Sequence, residues 1–167
     1  MKHGLAPIAR DDAEVLILGS LPGERSLAVG QYYGHPKNQF WQLVFAVLGE
    51  DAPDDYAARC AALLRHKIAL WDVIRCAERR GSLDSDIRGA VPNDFFAFFE
   101  THRQIGLVLL NGGKAAQLFI TYFNDIPVKT IRLPSSSPAM ASLSFEQKLE
   151  VWKQAFEERE SRCGDDK

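Results

Sequence analysis

The side chains that could do chemistry together are aromatic rings and uncharged hydrogen-bonding groups, namely those of Tyr32, Tyr33, Asn38 and Asn111. Aromatic stacking combined with amide hydrogen bonds is how proteins hold a nucleobase that has been turned out of a duplex. The serine run at 135–137 adds hydroxyls and backbone donors that suit phosphate contacts. The pattern therefore indicates a pocket for a nucleobase or a nucleotide.

Other kinds of catalytic site lack their sequence signatures. Ser20 does not stand in a G-x-S-x-G pattern, and the loop 19–23 has no Gly-Lys-Ser/Thr of a phosphate-binding loop. The histidines show no spacing typical of a metal site or a catalytic triad: His3, His35, His66 and His102. An odd number of cysteines without CxxC spacing argues against disulfides and iron–sulfur clusters: Cys60, Cys76 and Cys163. We expect no metal and no other cofactor.

Short apolar runs alternate with segments of helical period along the chain. The runs at 15–18, 68–71, 106–110 and 127–131 predict buried strands. Helices are predicted from residue 38 to Gly49, over 54–66, from Pro92 or Asn93, over 114–123 and from Ser144, with 75–92 irregular. Such alternation is typical of an α/β fold whose mainly parallel sheet is covered on both faces.

The segments that follow the four predicted strands are polar and rich in glycine, serine or proline. They comprise residues 19–23, 72–88, 111–113 and 133–138. In a parallel sheet they would meet at the carboxyl edge, where ligands of open α/β sheets bind. The sequence therefore predicts the functional site at this edge.

The whole chain has an ordinary globular composition, with 167 residues, 46% of them hydrophobic and 25% charged. We expect one domain over residues 1–156 and a solvated, frayed tail over 157–167. No run approaches the roughly 20 apolar residues of a membrane span, and no signal segment is apparent, so a cytoplasmic protein is expected. The formal net charge of −2 gives no support to a nucleic-acid partner, although residues 65–88 hold several arginines.

Long stretches of the chain resemble one enzyme family. The stretch Gly-Ser-Leu-Pro-Gly-Glu-x-Ser at 19–26 and Gln-Tyr-Tyr-Gly-His-Pro-Lys-Asn-Gln-Phe-Trp at 31–41 are similar to the DNA-deoxyinosine (hypoxanthine-DNA) glycosylases of the uracil-DNA glycosylase superfamily. Leu-Trp-Asp-Val-Ile at 70–74 and Leu-Pro-Ser-Ser-Ser-Pro-Ala at 133–139 continue the resemblance, which covers roughly residues 13–155.

The resemblance implies a three-layer α/β/α fold with a central four-stranded parallel sheet. It also implies a hydrolase that cleaves the N-glycosidic bond of deaminated bases in double-stranded DNA. Hypoxanthine is the first candidate base, followed by uracil and xanthine. The enzyme would act as a monomer and would not bind a membrane.

The resemblance also assigns roles to individual residues. The polar residues that usually catalyse the reaction are replaced by Leu21 and Leu133, and catalysis falls to Asn38. Tyr33 would stack on the base and Asn111 would recognise it. The rest of the pocket would come from the first loop: Gly19, Ser20, Leu21, Pro22 and Gly23. DNA contacts would come from Ser135, Ser136, Ser137 and Met140, and Met140 is a candidate wedge because Ser137 replaces the family's leucine.

Simpler roles for the same residues remain open. Asn38 could only cap a helix, Asn111 could only terminate a strand, and Asp72 could order its loop or, as a less favoured role, position water. Two other functions also remain, a flavodoxin-like nucleotide or nucleoside enzyme and a non-catalytic nucleic-acid binder.

Overall fold

The computed structural model describes residues 1–165, with side chains through Arg159. Its strands are β1 (Lys2–His3), β2 (Val15–Gly19), β3 (Ile68–Asp72), β4 (Ile74–Glu78), β5 (Arg88–Pro92), β6 (Leu107–Asn111) and β7 (Lys129–Leu133). Its helices are α1 (Glu24–Val29), α2 (Phe40–Leu48), α3 (Tyr56–Arg65), α4 (Phe95–Thr101), α5 (Gly113–Phe123) and α6 (Phe145–Asp165), with a 3₁₀ turn at Asp84–Asp86.

The central sheet has the order β3-β2-β6-β7, and all of its neighbouring strands are parallel. The inner strands β2 and β6 are buried at every residue, which is why they consist of uninterrupted apolar runs. The predicted α/β fold with a four-stranded parallel sheet is confirmed.

The inner strands send alternate side chains into two separate cores. Leu16 and Leu18 of β2 pack with aromatic residues of α4 and α5, including Phe95 and Phe119. Val15 and Ile17 pack with apolar residues of α2, α3 and α6: Phe40, Trp41, Leu63 and Trp152. Because a strand alternates its side chains between faces, this division produces the predicted three layers.

A second, antiparallel sheet has the order β1-β4-β5, and its strands β4 and β5 lie in the region predicted to be irregular. The prediction for residues 75–92 was therefore wrong. The sequence conceals these strands because β5 is mostly exposed and the β4–β5 pairing contains register shifts, so no clean alternation results. Pairing between strands, rather than local pattern, forms this sheet.

Several element boundaries also differ from the prediction. Strand β7 begins at Lys129 rather than Pro127, because its register pairs Lys129 with Leu107 and Leu133 with Asn111. Helix α4 begins at Phe95, where the Asp94 carboxylate accepts a hydrogen bond from the backbone amide of Ala97. The short helix α1 was not predicted.

Helix α6 continues beyond residue 156, where the sequence placed the end of the domain. Glu158 forms an ion pair with Lys129, and Arg159 Nη2 lies 2.8 Å from Glu14 Oε1. The solvated tail at 157–167 stays a prediction, and residues 166 and 167 lie outside the described part of the chain. Among the described helices, none is long and apolar enough to cross a membrane.

Candidate active site

The register of the parallel sheet brings the predicted site residues to one edge. Gly19 pairs with Asp72 at the carboxyl ends of β2 and β3, and Asn111 pairs with Leu133 at the ends of β6 and β7. These four strand ends meet at the edge where the site was predicted. Leu133 itself is completely buried and packs in the core below the site.

The first loop is held mainly through its backbone. The carbonyl oxygens of Gly19 and Ser20 accept hydrogen bonds from the amides of Val73 and Ile74. The Ser20 hydroxyl donates to Asp84 Oδ1 at 2.6 Å. Leu21 packs its side chain in the core. At the end of the loop, Gly23 lies at the N-cap of α1.

Arg79 is a structural residue of the site that the sequence did not single out. It is buried, and its guanidinium donates hydrogen bonds to the carbonyl oxygens of Leu21, Pro22 and Gly81. These bonds satisfy carbonyls of a loop that has no regular secondary structure. Arg79 therefore orders the loop and is not free to contact phosphate.

Gly19 leaves room for two side chains that approach its α-carbon. A β-carbon at this position would lie 2.5 Å from Asp72 Oδ1 and 2.8 Å from Tyr33 Oη. Both distances are far below van der Waals contact, so a side chain at residue 19 would displace Asp72 and Tyr33. Glycine is required here for the close approach of these groups.

Tyr33 lies in a strained backbone conformation. Its φ of 54° is left-handed, which costs a non-glycine residue on the order of 1 kcal/mol or more. The turn is held by the Gly34 amide, which donates to Ser26 Oγ at 2.9 Å, and by stacking of the Tyr33 ring on Phe40 at 4.0 Å between centroids. Strain that is held in this way is typical of functional positions.

Asn111 uses nearly all of its hydrogen-bonding capacity inside the protein. Its Nδ2 donates to Tyr33 Oη at 3.1 Å and to Ser136 Oγ at 3.0 Å, and its Oδ1 accepts from the Ser136 amide at 3.0 Å. Burial raises the pKa of the Tyr33 hydroxyl, and the nearby Asp72 raises it further, so Tyr33 remains neutral. To donate to a base, Asn111 would have to exchange its bond to Tyr33 for one to the base.

Asn38 lies just before α2, and its side chain is half-buried. Its Oδ1 accepts from the Phe40 amide, the first amide of α2, at 2.9 Å, although the N-cap position itself is Gln39, whose side chain makes no capping bond. The next residue, Gln39, connects the start of α2 to the serine loop and to α6. Its amide donates to the Ser136 carbonyl oxygen, and its Oε1 accepts from Lys148 Nζ at 3.0 Å. Lys148 is only 1% exposed, and burial lowers its pKa.

The serine run forms a loop whose members have different environments. Ser136 is buried, and its hydroxyl is occupied by Asn111, so predicted phosphate contacts depend on Ser135 and Ser137. The hydroxyls of Ser135 and Ser137 each accept a backbone amide two residues further on. Met140 is half-buried, and its amide donates to the Ser137 carbonyl oxygen. The DNA-contact and wedge roles stay predictions.

Asp72 is the polar group of this edge that sequence reasoning undervalued. Its side chain is 4% exposed, and its Oδ2 is completely buried without a hydrogen-bond partner in the described structure. Burial and the nearby carboxylate of Asp84 raise the pKa of Asp72 to about 7, and Arg79 only partly opposes this. The sequence signal that could have identified Asp72 is its position as a charged residue directly after a buried apolar run.

Two cavities in the described structure lie away from this edge. The larger, about 630 Å³, is lined by residues such as Glu14, Lys67 and Arg159, near the amino ends of β2 and β3. The smaller, about 390 Å³, lies beside α4 at Phe96 and Phe99. Among the described residues, no group of three or more histidine, cysteine or acidic side chains could hold a metal ion.

Comparison with known proteins identifies relatives along nearly the whole chain. A family model described as the uracil DNA glycosylase superfamily matches residues 7–158. A hypoxanthine DNA glycosylase from Methanosarcina barkeri is 38% identical over 156 residues, covering 93% of this chain and 98% of that protein. One from Methanosarcina acetivorans is 36% identical over 157 residues, with the same coverage of both chains.

A solved structure agrees with these relatives. The solution NMR structure of a candidate uracil DNA glycosylase from Methanosarcina acetivorans superimposes with a TM-score of 0.83 at 36% sequence identity, covering 95% of this chain and 98% of that one. The sequence motifs, the parallel sheet and the matches thus agree along the chain. The chain belongs to the uracil DNA glycosylase superfamily.

Proposed function

We propose that the protein is a DNA repair glycosylase that hydrolyses the N-glycosidic bond of deaminated bases in double-stranded DNA, with hypoxanthine as the first substrate. The observation that carries this proposal is the close approach of Asp72 and Tyr33 to the α-carbon of Gly19, with Asn111 hydrogen-bonded to Tyr33. An aromatic ring beside amide and carboxyl groups suits a flipped base. The names of the two Methanosarcina relatives support hypoxanthine.

The reaction breaks the bond between the sugar C1′ and the base nitrogen, and the base leaves with the electron pair. Water then supplies the oxygen that bonds to C1′, and the proton that this water loses balances the charge of the released base. Negative charge develops on the departing base, and a neutral donor aimed at that charge stabilises it without titrating. Asn38 Oδ1 already accepts from the Phe40 amide, whereas Nδ2 is the only donor of this side chain, so we propose that Asn38 acts through its Nδ2, by donating to the leaving base.

An assay of strand cleavage tests the function directly. Duplexes containing hypoxanthine, uracil or xanthine are incubated with the protein and then treated with alkali, which breaks the strand at abasic sites. We expect breaks at the modified base, fastest for hypoxanthine. Hydrolysis of free deoxyinosine without cleavage of duplexes would indicate a nucleoside enzyme instead, and binding without cleavage would indicate a non-catalytic binder.

We expect DNA binding to weaken steeply with salt despite the net charge of −2. The turn between β4 and β5 carries the exposed Arg80 and adjoins the first loop, since Ser82 Oγ accepts from the Glu24 amide at 2.9 Å. Phosphate contacts release counterions, so the logarithm of affinity falls linearly with the logarithm of salt concentration.

Two single substitutions locate this contact. Arg80→Ala should weaken binding and reduce the salt slope by about 1 in fluorescence anisotropy titrations. Arg103→Ala is the matched control, because Arg103 is exposed just before β6, at the opposite edge of the sheet. An affinity that does not change with salt would contradict a DNA substrate.

We also propose that the protein acts as a monomer in the cytoplasm. The side chains invoked in the pocket, Tyr33, Asn38, Asp72 and Asn111, all belong to one chain. Sedimentation of the protein with and without a hypoxanthine duplex would reveal any dimer.

A further inference from the structure

The polar groups at the carboxyl edge differ in how much hydrogen-bonding capacity remains for a ligand. Both Nδ2 hydrogens of Asn111 are used by Tyr33 and Ser136. In contrast, Asp72 Oδ2 and Asp12 Oδ1 are the two buried side-chain atoms without a hydrogen-bond partner in the described part of the chain. Of these two, Asp72 is at the site. An unsatisfied buried oxygen is costly, so it calls for an explanation.

We propose that Asp72, as a neutral carboxylic acid, recognises the lactam edge of the flipped base, donating to its ring carbonyl oxygen and accepting from its ring N–H. This inference rests on the proposed glycosylase function. Asp72 Oδ1 lies 2.5 Å from the point where a β-carbon of residue 19 would stand, and Tyr33 Oη lies 2.8 Å from it. Because residue 19 is a glycine, no side chain separates the Asp72 carboxyl from the Tyr33 hydroxyl at this point.

The surroundings of Asp72 favour the neutral acid. The carboxyl is almost fully buried, and the nearby Asp84 carboxylate disfavours a second negative charge. Arg79 is the cation that acts on Asp72, but its guanidinium donates to carbonyl oxygens of the first loop instead of forming an ion pair. The other titratable neighbours, Tyr32 and Tyr33, have raised pKa values and stay neutral. Burial and repulsion together raise the pKa of Asp72 to about 7.

A neutral carboxylic acid matches a lactam in both of its hydrogen bonds. It offers one O–H donor and one carbonyl acceptor, whereas an ionised carboxylate only accepts. Deamination creates the same pair of groups in hypoxanthine, xanthine and uracil, a ring carbonyl next to a ring N–H. The ligand class is therefore the lactam base. Normal lactam bases are disfavoured because a correctly paired base costs more to turn out of the duplex.

The test is a pH profile of single-turnover cleavage of a hypoxanthine duplex. For the wild type, we expect the rate to fall above about pH 7, as Asp72 ionises. Asp72→Asn keeps one donor and one acceptor at every pH, so it should stay within about tenfold of the wild-type rate and lose this alkaline fall. Asp72→Ala should be about 10- to 100-fold slower at every pH, because both hydrogen bonds are lost. Titration of the substrate is the same for all three enzymes.

Two carboxylates of the nearby 3₁₀ turn provide a matched pair. Asp84→Asn removes the repulsion that acts on Asp72, so the alkaline fall should move to lower pH. Asp86→Asn removes an exposed carboxylate from the same turn, and the profile should not move. If Asp84→Asn left the profile in place, the neutral-acid account would be wrong.

The variants also separate this inference from the proposed function. A wild type that cleaves hypoxanthine duplexes while Asp72→Asn is as slow as Asp72→Ala would mean that the ionised carboxylate is needed. Wild-type rates and profile in both variants would mean that Asp72 does not touch the base. Either result overturns the inference and leaves the glycosylase intact. A wild type without cleavage would overturn the proposed function.

Discussion

Asn38→Ala is expected to slow single-turnover cleavage of a hypoxanthine duplex by about 100- to 1000-fold, the effect of losing one donor to a developing negative charge. Leu21 and Leu133 are buried in the core and cannot hold water or stabilise charge, so no polar group replaces Asn38 at those positions. Binding to the duplex should change little, because phosphate contacts dominate its affinity. The measurements are single-turnover rates and anisotropy titrations on the same duplex.

The capping contact of Asn38 requires a control. Its Oδ1 accepts from the Phe40 amide, and losing such a cap costs about 1 kcal/mol of stability. Asn38→Ser retains a capping hydroxyl but is too short to reach a base, so it should fold normally and still be slow. Asp55→Ala removes the cap of α3, where the carboxylate accepts from the Ala58 amide, and should cost stability without affecting the rate. Near-normal cleavage by Asn38→Ser would mean that Asn38 only caps the helix and is not catalytic.

Asp72→Asn is expected to stabilise the protein, and more at pH 8 than at pH 5. Below about pH 4 the carboxyl of Asp72 is protonated in both the folded and the unfolded chain. As the pH rises from about 4 to about 7, the unfolded chain ionises but the folded one does not, so the free energy of unfolding falls. Above about pH 7 the folded carboxyl is ionised as well, and the full destabilisation by Asp72 is present. The rise in pKa from 3.8 to about 7 corresponds to about 4 kcal/mol at most.

Urea unfolding of the wild type and Asp72→Asn at both pH values measures this difference. The stabilisation by asparagine should be larger at pH 8, and the denaturant slope should be unchanged. Asp86→Asn, which removes an exposed carboxylate, should show no such pH-dependent gain. An Asp72→Asn effect of equal size at pH 5 and pH 8 would mean that the carboxyl is not held neutral by the fold.

The fold class and the position of the site could be predicted from the sequence, because both depend on short patterns of neighbouring residues. The apolar runs around Ile17 and Leu109 are too short and too continuous for surface elements, so they had to be buried strands. Glycine- and serine-rich segments after each run had to lie at one edge once the strands were parallel. The second sheet could not be predicted, because β4 and β5 depend on pairing between irregular strands.

Within the site, the sequence by itself determined which residue types were present, including Tyr33, Asn38 and Asn111. Only the tertiary structure decided which of them have hydrogen-bonding capacity to spare. Asn111 is hydrogen-bonded inside the protein because the loop after β7 places Ser136 beside it. Asp72 keeps an unpartnered oxygen because Arg79 donates its hydrogen bonds to backbone carbonyls instead. These outcomes depend on contacts between residues 25 to 78 positions apart, which no local pattern records.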